Sequence, residues 1–225
     1  MNFKNLIKFA AFLLIVLTAA LTTSCCKEED NAMKMTMTTA KEGLMDIGLA
    51  GKGTAVINWG DGTPDETVTF TDLITWHSHT YSNSTTRTIT IIGDNVTMLC
   101  CSDNQLITLD VSKNPAIEEL YCSDNQLTAL DMSKNPALTR LDCNSNQITA
   151  LDVSKNPALK TLAVMHNLFE AEKEGKGLNP LFRTLPNNVI DGGRVVVITN
   201  NPGTDTCDTS IATSKGWAVN FWSFE

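Results

Sequence analysis

The sequence predicts a mainly β chain with short helices: a parallel β-solenoid of about five coils, preceded by a small β-sandwich-like cap and closed by a helix and a strand. Three observations carry this. A 21-residue unit recurs from Leu99, as "LCCSDNQLITLDVSKNPAIEE", "LYCSDNQLTALDMSKNPALTR" and "LDCNSNQITALDVSKNPALKT". Residues 33–94 instead alternate apolar and polar positions between turn signals. After Phe169 the period fails, and Leu178, Leu181, Phe182 and Leu185 recur at helical spacing.

The first 24 residues read as a secretory leader. Lys4 and Lys8 form a basic start, Phe9 to Leu21 an apolar core, and small residues follow at "TTSCC". Those thirteen core residues are too few to span a bilayer, which takes about 20. Thr22-Thr23-Ser24-Cys25 resembles a loose bacterial lipobox. That resemblance implies that Cys25 carries the lipid through a thioether, and acyl chains add about 0.8 kcal/mol of membrane affinity per CH₂. Residues 25–32, with "KEED" at Lys27 to Asp30, read as a solvated tether. They also resemble the acidic export signal of Bacteroidetes-type lipoproteins, which implies display on the outer membrane at the cell surface.

Removing residues 1–24 takes away two lysines and no acid, so the formal charge moves from −8 to −10. An acidic chain without a basic stripe does not suit nucleic acid. Of the seven cysteines, Cys25 and Cys26 belong to the anchor. Cys101, Cys122 and Cys143 recur with the repeat, which assigns them to packing as small apolar side chains. Cys100 and Cys207 stand outside the pattern, with a disulfide between them as the disfavoured alternative.

Residues 33–94 contain β-rich runs ("MKMTMTT", "TAVINWG", "ETVTF", "RTITIIG") around the strong turn "GDGTP". Trp59-Gly60-Asp61-Gly62-Thr63, then His79-Thr80-Tyr81 and the strand Arg87 to Ile92, resemble the PKD-type sandwich. The resemblance covers about forty residues. It implies either a short PKD-like segment or a partial sandwich that caps the repeats. Asp61, Asp65 and Glu66 offer hard oxygen ligands for calcium but lack EF-hand spacing, so a solvated turn is the alternative preferred. His77 and His79 alternate on a strand and read as structural or surface residues.

The repeats occupy residues 95–169. Each unit runs L-x-C-x-x-N-x-L-x-x-L-D-V-S-K-N-P-A-L, and this resembles the leucine-rich-repeat signature. Leu and Cys two apart point into the core from a short strand. Asn104, Asn125, Asn146 and Asn167, with Asn201 in a later irregular coil, turn inward as a structural ladder for backbone groups left unpaired at the bend. Asn-Pro-Ala makes a turn, since proline fixes its own φ and keeps the preceding residue out of helix. Asp110, Asp131 and Asp152 precede serine by two, as an Asx turn requires. A metal ladder of these aspartates is the alternative, opposed by lysines at 113, 134 and 155. A single coil cannot bury its apolar face, but stacked coils can.

Residues 170–225 read as a short amphipathic helix on the convex side, an irregular last coil at Val196, Ile198 and Asn201, and a C-terminal cap. In that cap Asp208 is an N-cap, Gly216 a C′ residue, and Trp217 to Phe221 an end strand.

The whole order resembles the leucine-rich-repeat surface lipoproteins of Bacteroidetes-type bacteria, which implies extracellular binding and no chemistry. Indeed no nucleophile–base pair, paired-carboxylate motif or metal signature is present, so a non-catalytic role without cofactor is expected. If Leu99 and Cys101 point inward, their neighbours point out from the concave face. Glu119, Tyr121, Ser123, Arg140, Asp142, Asn144 and Met165 are therefore the candidate ligand-binding residues, with Tyr and Arg the types enriched at hot spots. The expected ligand is an extracellular protein, or alternatively a glycan, with a monomeric chain held on the membrane only by its lipid.

Overall fold

A computed structural model describes residues 33–70, 73–187 and 193–221. The chain divides into two compact units, 1–32 and 33–225; the second alone is described below. The leader, the lipidation cysteine Cys25 and the acidic tether lie outside the described residues. Among the described residues no helix is long and apolar enough to cross a membrane.

The front segment supplies β1 (Lys34–Thr39), β2 (Gly43–Gly51), β3 (Thr54–Asn58), β4 (Glu66–Thr69), β5 (Thr75–Tyr81) and β6 (Arg87–Gly93). The repeats supply β7 (Val96–Cys100), β8 (Leu106–Asp110), β9 (Glu119–Tyr121), β10 (Arg140–Asp142) and β11 (Thr161–Ala163). Helix α1 (Leu178–Thr184), β12 (Arg194–Val197), helix α2 (Ser210–Thr213) and β13 (Trp217–Asn220) follow. One sheet has the order β4-β3-β6-β1-β8, the other β13-β12-β11-β10-β9-β7-β2-β5.

The parallel part of the second sheet is a β-solenoid. Strands β7, β9, β10, β11, β12 and β13 pair in parallel, with Leu99, Leu120, Leu141, Leu162, Val196 and Val219 in register. That makes six rungs where the sequence suggested about five, because β13 continues the stack. Beside the leucines run Cys101, Cys122, Cys143, Val164 and Ile198, all fully buried. Burial pushes the Cys101, Cys122 and Cys143 thiols well up, so they stay protonated and pack as hydrophobes.

The asparagines knit neighbouring coils. Asn125 Oδ1 accepts from the Asn104 and Leu106 N–H groups, while its Nδ2 donates to the Cys101 and Cys122 carbonyls. Asn146 Oδ1 accepts from Leu127 N–H at 2.9 Å, and its Nδ2 donates to Cys122, Cys143 and Asn144 carbonyls at 3.0–3.1 Å. Asn167 and Asn201 repeat the pattern toward Ile148 and Phe169. The residue before each ladder asparagine adopts a left-handed conformation: Asp103, Asp124, Ser145, His166 and Asn200 have φ between 51° and 58°. That reversal turns the next side chain inward.

A second row of buried asparagines, Asn114, Asn135 and Asn156, occupies the opposite bend. Local rules read these only as turn residues before proline. In the structure Asn135 Nδ2 donates to the Val111 and Asn114 carbonyls, and Asn156 Nδ2 to those of Met132 and Asn135. The Asn-Pro-Ala turns close with Leu138 N–H donating to Asn135 O and Leu159 N–H to Asn156 O, each 3.1 Å. Asp110, Asp131 and Asp152 each accept the N–H of the serine two residues on, at 2.8 Å.

The front segment shares both of its sheets with the first coil. β2 pairs antiparallel with β5 and β7, and β1 pairs antiparallel with β6 and β8. Asn104 Nδ2 donates to the Asp46 carbonyl at 2.7 Å, so the inward ladder ends on β2. One hydrophobic core runs from Met35 to Trp217. At the other end α1 buries Leu178, Leu181 and Phe182, and Thr184 Oγ1 accepts the Val153 N–H. Asp208 Oδ1 accepts from Ser210 N–H ahead of α2. Buried Trp217 donates from Nε1 to Pro186 O at 3.0 Å.

Substituting Asn146→Ala leaves the Leu127 N–H unpaired and removes one of the two donors on each of the Cys122, Cys143 and Asn144 carbonyls, which keep Asn125, Asn167 and the Asp124 N–H. With about 1–3 kcal/mol for the one orphaned group and about 0.5–1.5 kcal/mol for each further bond lost, the loss should be about 3 kcal/mol or more in chemical denaturation. The exposed Asx residue should cost about 1 kcal/mol as Asp131→Ala. Equal losses at the two positions would contradict the ladder's role.

Candidate interaction face

Alternation along the short strands sends Leu99, Leu120, Leu141 and Leu162 inward and their neighbours outward. The registers order those neighbours into rows. Met98, Glu119, Arg140 and Thr161 form one, and Cys100, Tyr121, Asp142 and Ala163 the next. Ser102, Ser123 and Asn144 lie just past the strand ends.

The rows are linked. Tyr121 O–H donates to Glu119 Oε2 at 2.5 Å, and Arg140 Nε lies 4.0 Å from the same oxygen. Ser123 O–H donates to Ser102 Oγ at 3.0 Å. Asp142 Oδ1 accepts the Asn144 N–H at 3.1 Å. Burial, followed by the Glu119 hydrogen bond and charge, pushes the Tyr121 hydroxyl up to about 12, so it remains a donor. Burial raises the Asp142 carboxyl, and the charge of Asp124 adds to it. Cys100 is pushed up to about 11 by burial and by Glu119. Glu119, Tyr121, Ser123, Asp142 and Asn144 are half-buried, and Arg140 is exposed.

Met165 departs from the expectation. It is only 5 % exposed, its N–H donates to Asn144 Oδ1 at 2.7 Å, and it lines a wall. The wall belongs to a cavity of about 280 Å³ also lined by Ser123, Asp124, Asn144, Ser145, His166 and Asn200. Asn200 Nδ2 and His166 Nε2 sit 3.1 Å apart at its rim. Asp124, His166 and Asn200 were not singled out from the sequence. Their signal is positional: each directly precedes an inward asparagine, in "SDNQ", "MHNL" and "TNNP".

The front segment carries a second constellation. His79 stacks on Trp59 at 5.0 Å and meets Tyr81 edge-on at 4.7 Å, while Tyr81 O–H donates to Trp59 O. His79 Nε2 lies 2.7 Å from Asp61 Oδ2, and His77 Nδ1 lies 2.8 Å from Glu66 Oε1. These partners lie 18 and 11 residues apart, which alternation on one strand does not show. Asp65 Oδ1 accepts from Asn58 Nδ2 at 2.6 Å. The three carboxylates weighed as calcium ligands therefore serve three different donors. Among the described residues no His, Cys, Asp and Glu cluster is placed to hold a metal. His77 Nε2 also lies 3.0 Å from Thr75 Oγ1, which donates to Leu49 O at 3.3 Å. Hydroxyl, imidazole and carboxylate thus form one chain across β2, β5 and β4, with its hydroxyl end turned onto a strand carbonyl.

Hydrogen bonds from the Thr63 side chain and then His79 hold the Asp61 carboxyl well below the usual carboxylate range. Between that lowered value and the ordinary one near ~3.9, the unfolded chain binds more protons than the folded one. The contribution is therefore complete above about pH 5 and is lost as pH falls. The wild-type urea midpoint should drop more steeply than that of Asp61→Asn between about pH 5 and about pH 2.5. Because Asp61 is exposed, salt should shrink the difference.

No protein-family model matches the chain, and no curated protein does. Seven solved chains match. One is the functional domain of InlJ from Listeria monocytogenes, which includes a cysteine ladder. It is 27 % identical over 55 % of this chain and 24 % of that one, with a TM-score of 0.41, so the match spans about a quarter of that chain's length.

Proposed function

We propose that the protein is a lipid-anchored cell-surface module that binds another protein, in an adhesion role, through the outward face of its parallel sheet. One observation carries this reading. The inward positions repeat Leu, Cys and Asn on successive rungs, while the outward positions of the strands themselves change from rung to rung, and Glu119 joins the aromatic Tyr121 to the guanidinium of Arg140. Packing demands the first set and does not demand the second. Tyr121 and Arg140 are residue types that concentrate binding energy in interfaces. A second reading, a glycan-binding accessory of a polysaccharide-utilisation system, draws on the polar cavity beside Asp124, Asn144 and Asn200.

The anchor is tested first. Cys25→Ser should abolish incorporation of a labelled fatty acid and release the chain from membranes; retained label would move the anchor elsewhere. The face is tested by capture from extracellular and surface extracts with the full detergent-solubilised chain. A partner so identified should bind at least about tenfold more weakly to Tyr121→Ala/Arg140→Ala, corresponding to about 1.4 kcal/mol. Unchanged affinity would place the site off this face.

A further inference from the structure

The outward face does not stop at the repeats. Gly48 of β2 pairs with Cys100 of β7 on one side and Trp76 of β5 on the other. A single row therefore runs Trp76, Gly48, Cys100, Tyr121, Asp142 across five strands. Trp76 and Tyr121 stand three strand spacings apart, about 14 Å.

The stretch between them is apolar. Trp76 is 61 % exposed and Ile74 37 %. A Cβ built on Gly48 would meet Ile74 Cδ1 at 2.7 Å and Cys100 Cβ at 3.2 Å. Ile74 therefore lies over the glycine, and its side chain continues the surface from Trp76 toward Cys100. An exposed tryptophan on β5 and an isoleucine just ahead of that strand, lying over Gly48, mark a contact surface more than a solvated one.

The rim is acidic. By alternation the outward charged positions of β2, β9 and β10 are Asp46, Glu119, Arg140 and Asp142: three carboxylates against one guanidinium. Asp124 lies close enough for its charge to act on Asp142. A second copy of this chain would bring acidic surface against acidic surface, in a protein already at −8, so self-association here is opposed. A neutral sugar could use Trp76 but would leave the carboxylate excess unmatched.

Resting on the reading of this face as a protein-binding surface, we propose that its occupant is a basic segment of the partner: cationic side chains among Glu119, Asp142 and Asp124, and an apolar side chain on the Ile74–Trp76 surface beside Gly48. The N-terminal segment is then half of the recognition surface and not only a cap on the repeats. Charge sets the encounter rate and the choice of partner, and the apolar contact sets the residence time.

The test uses the full chain in a non-ionic detergent and synthetic peptides as probes. One peptide alternates Arg with Val and Trp; a second replaces Arg by Glu; a third replaces Val and Trp by Ser. A neutral cello-oligosaccharide is the fourth probe. The Arg/Val/Trp peptide should bind at least about tenfold tighter than either relative, and added salt should weaken it. Both Glu119→Gln/Asp142→Asn and Trp76→Ala should lower that affinity about tenfold with unchanged thermal unfolding. The proposal is overturned if the glutamate peptide binds as well, if the variants leave peptide binding untouched, or if only the oligosaccharide binds in a Trp76-dependent manner. Capture by Tyr121→Ala alone is scored alongside, because Arg140 carries the same sign as the proposed partner. If capture falls while peptide binding ignores the variants, only the basic partner is wrong; if capture is also unchanged, the face itself is.

Discussion

The asparagine amides that reach from coil to coil are the constraint on which this architecture depends. A chain that bends back on itself every 21 residues leaves backbone N–H and C=O groups facing an apolar interior, where each unpaired group is costly. An asparagine side chain has both an acceptor and two donors. Asn125 and Asn146 use both functions, accepting from the coil before and donating to carbonyls of that coil and their own. Leucines and thiols can be shut away from water because those amides are present. The second row, Asn114, Asn135 and Asn156, performs the donor half of this task at the opposite bend, and its Oδ1 atoms have no hydrogen-bond partner. The two rows divide the coil into spans of ten and eleven residues, each bounded by a side chain that binds the neighbouring coil.

What happens at the ends follows from the same need. A ladder that stopped in mid-air would leave Asn104 without a coil to bind. Instead Asn104 donates to Asp46 O and accepts from Asp46 N–H, and Lys41 Nζ donates to the Asp103 carbonyl. The front segment thereby becomes a continuation of the stack, antiparallel where the coils are parallel. At the far end Arg194 donates to the Pro157 and Pro186 carbonyls beneath the buried Trp217 ring, and β13 adds a last parallel rung.

Particular residues show where sequence reasoning reaches and where it stops. The Leu, Cys and inward Asn positions are legible because the same spacing returns three times and each residue type has one physical use there. Asn114 and its repeats are not, since an asparagine before proline looks like a turn residue by local rules whether or not it is buried. An end strand at Trp217 to Phe221 is legible, but its place as a sixth parallel rung is hidden because "WAVN" lacks the leucine and cysteine frame. Among the candidate contact residues, outward position follows from alternation, but Met165 shows that outward does not mean exposed: it is buried in the wall of a cavity that Asn144 also lines. Trp76 could not be placed on the face at all from the sequence, because its neighbourhood depends on an antiparallel pairing with β2 that skips two intervening strands.

The left-handed residue ahead of each inward asparagine has a bearing on how such chains grow. Because the reversal, the amide and the strand lie within one coil and bond only to the adjoining one, a whole coil inserted between β9 and β10 would meet the same neighbours as those already there. Both termini of the stack would stay as they are, while the exposed sheet would widen by one strand of new side chains. Loss or gain of part of a coil would instead put a backward-turning position where the backbone must run straight. Length in this protein is therefore free to vary only in whole steps, and each step changes what the surface can hold without disturbing how it is built.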